Sequence, residues 1–215
     1  MMKKLKHFAK ALSVILLLGH SYAHTKNINP NALPKDPNVE NGNATISSSL
    51  DKLAIKQKSD KLSISWGSFN IGKTASVEFF QPNNNSVAIN RVNSSDPSYI
   101  YGDLKANGQL IFINQSGVLF KGGSKVDVGS MIATTLNMND DYFFNHGQYV
   151  FKDDTSKGKI VNEGNISAKN GGTIALIANT VDNQGEINTP DGSAVLISGE
   201  NVTLTMADNA LVNFE

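Results

Sequence analysis

The residues of this chain that could do chemistry are few, and their spacing does not suit a reaction. Glycan cleavage by general acid and base needs two carboxylates held face to face across the substrate. Glu163 and Asp182 lie in the two most similar stretches of the sequence. One repeat beyond Glu163, however, stands Gln184, and one repeat beyond Asp182 stand Val202 and Thr203, so no acid faces an acid. The doublets Asp140-Asp141 and Asp153-Asp154 sit in a polar, aromatic segment where solvated charge is the expected role. Past the first 23 residues only His24 and His146 remain, too few for a histidine metal cluster or a triad. Ser116 in "NQSGV" lacks the Gly-x-Ser-x-Gly spacing and the strand-to-helix setting of a nucleophile turn. No catalytic residue, metal ligand or cofactor is assigned, and the chain is read as a non-enzyme.

The elements that carry these residues are strands. The 215 residues include no cysteine, 18 glycines and 7% aromatics, with much Asn, Ser and Thr, which favours one β-rich domain over helices. "MMKKLKHFAK" is basic, "ALSVILLLG" is a short apolar run, and "HSYA" ends in small residues, which together read as a secretory signal peptide over residues 1–23, cut after Ala23. The apolar run is about half the roughly 20 residues that a membrane span needs. The signal holds four of the 19 basic residues and no acid, so the mature chain carries a net charge of −4. That argues against nucleic acid as a partner. Export to an oxidising compartment without cysteine means that packing and backbone pairing hold the fold.

Residues 24–43 form a Pro- and Asn-rich lead-in, after which "ATIS", "KLAIKQ", "KLSISW", "ASVEFF" and "SVAINRV" alternate apolar with polar residues between Gly, Asn or Ser breaks. Trp66 is read as a core plug. Late in the chain Asn162, Gly164 and Ile166 recur as Asn183, Gly185 and Ile187, and "TIALI" recurs as "SAVLI", which maps Leu176 onto Leu196. A period of 20 to 21 residues made of three short strands and no helix predicts one coil of a parallel β-helix. Asn162 and Asn183 are then expected to stack as an asparagine ladder at one corner, with Ile166 over Ile187 and Leu176 over Leu196 as inward apolar stacks. "LIFINQSGVLFKGGSKVDV" fits one coil, with Leu110 and Phe112, Val118 and Phe120, and Val126 and Val128 on its three sides. An antiparallel sandwich is the competing fold, disfavoured because whole three-sided units repeat. Residues 137–159 break the pattern and read as a β-hairpin with an "NHG" turn, whose aromatics Tyr142, Phe143, Phe144, Tyr149 and Phe151 lie over the side of the coil.

From "SISWGSFNIGKTASVEFF" through "NRV", "SDPS", "ANGQ" and "GGSKVDVG" to "NGGTIALIANTVDNQGEINTPDGSAVLI", the mature chain closely resembles the N-terminal secretion domain of filamentous haemagglutinin-like and haemolysin-like exoproteins of two-partner secretion. The resemblance implies an all-β fold, a right-handed parallel β-helix with an N-terminal cap and extra-helical β-hairpins, over residues 24–215. It implies passage through the general secretory machinery of a Gram-negative cell. Recognition by the periplasmic POTRA-type domains of an outer-membrane β-barrel transporter follows, then folding at the cell surface or in the medium. The family's Asn-Pro-Asn-Gly hallmark falls on Asn114, Gln115, Ser116 and Gly117, where the first and last residues are kept; "NPNA" at Asn29 lies outside the usual position. Adhesion, haemolysis or contact-dependent toxicity, and contact with host or neighbouring cells, belong in this family to regions beyond the domain. The C-terminus at "NALVNFE" is accordingly expected to be truncated relative to a full exoprotein. The alternatives are a β-helical polysaccharide-degrading enzyme and a stand-alone surface adhesin.

Overall fold

Short alternating strands joined at Gly and Asn corners cannot bury an apolar face alone, and in this chain they stack coil on coil. A computed structural model describes residues 26–214 except 148, 153–155, 157, 208 and 209. The signal peptide and its cleavage point lie outside the described residues. Three parallel sheets form the walls of a β-helix. The first wall is the run Lys61–Ser68, Val87–Val92, Gln109–Ile113, Ser130–Thr134, Thr173–Ala178 and Ser193–Ser198. The second runs from Lys52–Gln57 through Ser76–Phe80, Asp103–Ala106, Lys125–Val128 and Asn165–Ala168 to Glu186–Asn188. The third and narrowest holds Ser98–Ile100, Val118–Phe120, Ile160–Asn162 and Val181–Asn183. At the N-terminal end the strands turn antiparallel: Lys35–Asn41 pairs with the first wall and Ala44–Ser48 with the second, which closes that end as a cap. Pro37 in the outermost strand blunts its edge.

Register follows from side-chain size as much as from backbone pairing. In the second wall Leu53, Val77, Leu104, Val126, Ile166 and Ile187 lie one above the other, pointing inward. Leu176 lies over Leu196, which stays 46% exposed on the last coil. Trp66 is buried edge-on to Phe69, and its Nε1 donates to Asn90 Oδ1 at 3.1 Å, which satisfies a polar residue inside the core. Each Leu or Ile so buried contributes about 1.5–3 kcal/mol.

The first wall is apolar on both sides. Ile89, Ile111, Ile132 and Ala175 form an outward column, and "QLIFI" and "TIALIA" are buried throughout. A second sheet covers this outer face, as continuous rather than alternating hydrophobicity requires. Its strands are Asn137–Met138, Tyr149–Lys152, Asn201–Ala207 and Ala210–Phe214, all antiparallel. Phe143, Tyr149, Phe151, Val202 and Leu204 make the second core against the outward column.

Two expectations change here. The segment read as a plain hairpin contains a helix, Asp140–His146, between its strands. Asn139 caps it by accepting from the Tyr142 amide, two acids occupy its first turn, His146 its last, and Gly147 closes it in a left-handed conformation. The expected "NHG" turn is the end of that helix. Second, Val202 and Thr203 do not lie one coil above Asp182: the chain leaves the β-helix after Ser198 and pairs them with Phe151 and Val150.

Tyr149, in this second core, has its hydroxyl pushed up to about 12 from 10.0 by burial. Its neutral form belongs to the fold, so the contribution is complete below pH about 10. It is lost as pH rises toward 12, because the unfolded chain ionises first. Roughly 3 kcal/mol of stability should disappear over that window. The urea midpoint of the wild type should therefore fall relative to that of Tyr149→Phe between pH 8 and 12, the variant falling less steeply; parallel curves would show that Tyr149 does not carry the effect.

Candidate functional site

The Asn114–Gly117 corner joins the first wall to the third, between Gln109–Ile113 and Val118–Phe120. Its four residues form a tight turn: the Gly117 amide donates to Asn114 O at 2.9 Å and the Ser116 amide to Asn114 Oδ1 at 2.9 Å. Gly117 has φ of 120°, a value that favours glycine, and a Cβ there would stand 2.9 Å from Lys159 O. Asn114 is fully buried. Its Nδ2 reaches back to the preceding coil, donating to Ser98 Oγ at 2.9 Å and Asp96 O at 3.3 Å. The Ser116 hydroxyl also points there, donating to Ser94 O at 2.8 Å. On the other side the Gly158 amide donates to Gln115 O at 3.0 Å. The corner is thus clamped between the coil before it and the coil after it, and only Gln115 and Ser116 are part-exposed.

Asn162 and Asn183 occupy a different corner, between the third wall and the second, so the structure does not bring them to the Asn114 turn. There Asn162 Nδ2 donates to Asn183 Oδ1 at 2.8 Å, and Asn162 Oδ1 accepts from the Gly164 amide at 3.1 Å. Phe120, one coil earlier, occupies the same column, so the amide ladder begins only at Asn162.

Several corner devices carry no clear sequence signal. "NPNA" makes a turn like that of "NQSG", with the Asn31 amide on Asn29 Oδ1 at 2.9 Å and the Ala32 amide on Asn29 O at 2.8 Å. It anchors the cap, since Thr74 donates its amide and hydroxyl to Pro30 O. "NNNS" at Asn83 repeats the pattern with Asn85 and Ser86. A buried glutamine run also crosses coils: Gln81 Nε2 donates to Gln57 Oε1 at 3.2 Å and to Gln109 O at 3.3 Å. Gly108, Gly129, Gly172 and Gly192 form a glycine ladder at the corner between the second and first walls, where a Cβ on any later member meets the carbonyl of the one before.

The acids are engaged in structure. Glu163 pairs with Lys121 at 2.6 Å, Asp182 accepts from Gln184 at 2.6 Å, and Asp140 pairs with Arg91. His146 lies exposed against the Tyr142 ring, with 4.9 Å between centroids. Asp153 and Asp154 fall outside the described residues. Among the described residues no group of three His, Cys, Asp or Glu could hold a metal ion, and no helix is long and apolar enough to cross a membrane.

Comparison with known proteins gives a consistent result. A model of the TPS secretion domain family matches residues 31–214. The heme/hemopexin-binding protein of Haemophilus influenzae strain Rd is 35% identical over 216 residues, which cover 93% of this chain and 22% of that protein. A second heme/hemopexin-binding protein of Haemophilus influenzae is 36% identical over 157 residues, 71% of this chain and 16% of the relative. This chain therefore spans about a fifth of the length of the curated relatives it matches. Among solved structures, the HMW1 secretion domain from Haemophilus influenzae superposes with a TM-score of 0.78 at 30% identity, over 84% of this chain and 49% of that one.

Proposed function

This chain belongs to the TPS secretion domain family, and from that premise we propose that it is the segment by which an exoprotein is captured by its outer-membrane transporter. Proteins with this domain are secreted through a partner transporter in the outer membrane, and the family is one of secretion domains rather than of enzymes. In the reading proposed here, residues 1–23 direct the chain to the general secretory machinery and are removed after Ala23. The unfolded domain is then bound by POTRA-type periplasmic domains, and outside the cell its coils nucleate folding of the rest. The domain performs no catalysis. The activity of the full exoprotein, whether heme or hemopexin binding of the kind in the relatives' names or adhesion at a cell surface, is placed in segments beyond this chain.

The observation that supports the reading is the burial of the hallmark corner in the folded state. Asn114 and Gly117 are buried, and the inner strands of each wall have their backbone donors and acceptors engaged by the coils on either side. A partner that reads the hallmark or adds a strand must meet the chain before it folds, when alternating side chains and unpaired backbone are both on offer. Once a coil stacks, apolar burial and completed pairing disfavour return. The test is association with the periplasmic part of the cognate transporter: denatured-then-diluted chain should bind more tightly than native chain, and no binding in either state would overturn the reading.

A further inference from the structure

A stack of coils in which each touches only its neighbours folds as a one-dimensional array, with stability summed along it and ends that fray separately. The extra-helical unit does not obey that rule. It leaves the β-helix after the fourth coil, as Asn137–Met138, the helix Asp140–His146 and Tyr149–Lys152, and its sheet is completed only by Asn201–Ala207 and Ala210–Phe214, after the sixth coil. The helix, in turn, is tied to the beginning of the stack. Ser63 Oγ donates to Asp140 Oδ2 at 2.8 Å and Lys61 Nζ donates to the Phe143 and Phe144 carbonyls at 3.0 and 3.2 Å, both from the first coil. Arg91, from the second coil, pairs with Asp140 and donates to Met138 O at 2.9 Å. Between these ties, Phe143, Phe151, Val202 and Leu204 pack on a column that runs over the intervening coils.

We propose that this unit is a latch that closes only when all six coils are in place, and that it converts the stack into one cooperative folding unit. Before residues 201–214 arrive, strand Tyr149–Lys152 lacks its partner on one side and the outward column Ile89, Ile111, Ile132 and Ala175 lacks the cover of Val202 and Leu204. Closure then joins the first coil to the segment after the last, which no coil-to-coil contact does. The inference is independent of how the domain is recognised by a transporter, because it concerns the folded chain alone.

The experiment is native-state hydrogen exchange across a urea series on the purified mature chain. In the wild type, amides of Lys61–Ser68 and Ser193–Ser198 should share one opening free energy and one urea dependence. The double variant Asp140→Ala with Phe143→Ala should separate them, the last coil opening first, and the urea slope of the first transition should drop to about half. Lys121→Ala, which removes a tie within the coils only, should lower the midpoint and leave the slope unchanged. Because the chain has no cysteine, the pair Val150→Cys with Thr203→Cys, opposite one another across the latch strands, offers a second route. Oxidation should raise protection of the first and last coils together, whereas reduction should return both to wild-type values. Separate transitions in the wild type, an unchanged slope in the double variant, or protection gained by the last coil alone on oxidation would each overturn the latch.

Discussion

Replacing Gly172 by valine should remove a large part of the domain's stability, because the substitution puts a side chain where a neighbouring backbone already lies. A Cβ at Gly172 would overlap Gly129 O and stand 2.9 Å from Lys169 O and 3.0 Å from Ala168 Cβ. On the far side, Gly192 approaches the Gly172 carbonyl as closely, and the Ser193 amide donates to that carbonyl at 3.1 Å. The two nearest neighbours are backbone and the third is a Cβ fixed to it, so relief means parting two coils and losing their pairing. Effects above about 4–5 kcal/mol are exceptional for single substitutions, and this one should reach them, against a total stability of about 5–15 kcal/mol for a domain. Gly122→Ala is the matched control: its Cβ would meet only Glu163 O, at 3.9 Å, and it should shift stability by less than about 1 kcal/mol. Thermal melts followed by far-ultraviolet circular dichroism decide the matter, and a Gly172→Val melt at the wild-type temperature would contradict the glycine ladder.

Asn114→Ala should lower stability by about 3 kcal/mol, which for a chain of this size is a fall in Tm of about 6–12 °C. The methyl group leaves the Ser116 amide without its acceptor and Ser98 Oγ and Asp96 O without their donor, and Asn114 and Ser98 are both fully buried. Asn114→Asp separates the parts, since it keeps the acceptor for Ser116 but sets a buried carboxylate against Asp96 O. It should therefore be worse than alanine at neutral pH and recover part of the loss as pH falls toward the ordinary carboxylate range, because burial raises the pKa of the new carboxyl group. Ser116→Ala removes a single bond to Ser94 O and should cost about 1 kcal/mol. Calorimetry of the three variants gives the order directly, and equal melts for Asn114→Ala and the wild type would show that the corner holds nothing.

The sequence was most readable where the repeat was most regular. Asn162 and Asn183, 21 residues apart, and Leu176 over Leu196 fall in coils that no insertion separates, so identity and spacing announce the stacking. The earlier coils hide theirs: Leu53, Val77, Leu104 and Val126 share a column although the loops between them differ in length, so no fixed period relates them. The helix was obscured because Tyr142, Phe143 and Phe144 are strand-forming residues by type, while Asn139, two acids and Gly147 supply caps that outweigh propensity in so short an element. The two faces of the first wall were only half legible. Leu110, Phe112 and Leu176 were readable as inward-facing, but the burial of "QLIFI" and "TIALIA" on their outer side comes partly from strand Asn201–Ala207, a distant part of the chain. The glycine ladder illustrates the same limit, since glycines are common throughout and only coil-to-coil spacing selects the four that cannot change.

The central claim is that this chain is a secretion domain recognised before it folds, not a β-helix that acts on a substrate. The most direct measurement titrates the purified periplasmic fragment of the cognate transporter with native chain and with chain diluted from denaturant, and assays the same samples for new reducing ends or unsaturated products on acidic glycans. Tighter binding by the unfolded chain, weaker binding by the folded one and no glycan products are the results expected. Absence of binding in both states together with glycan cleavage would contradict the account.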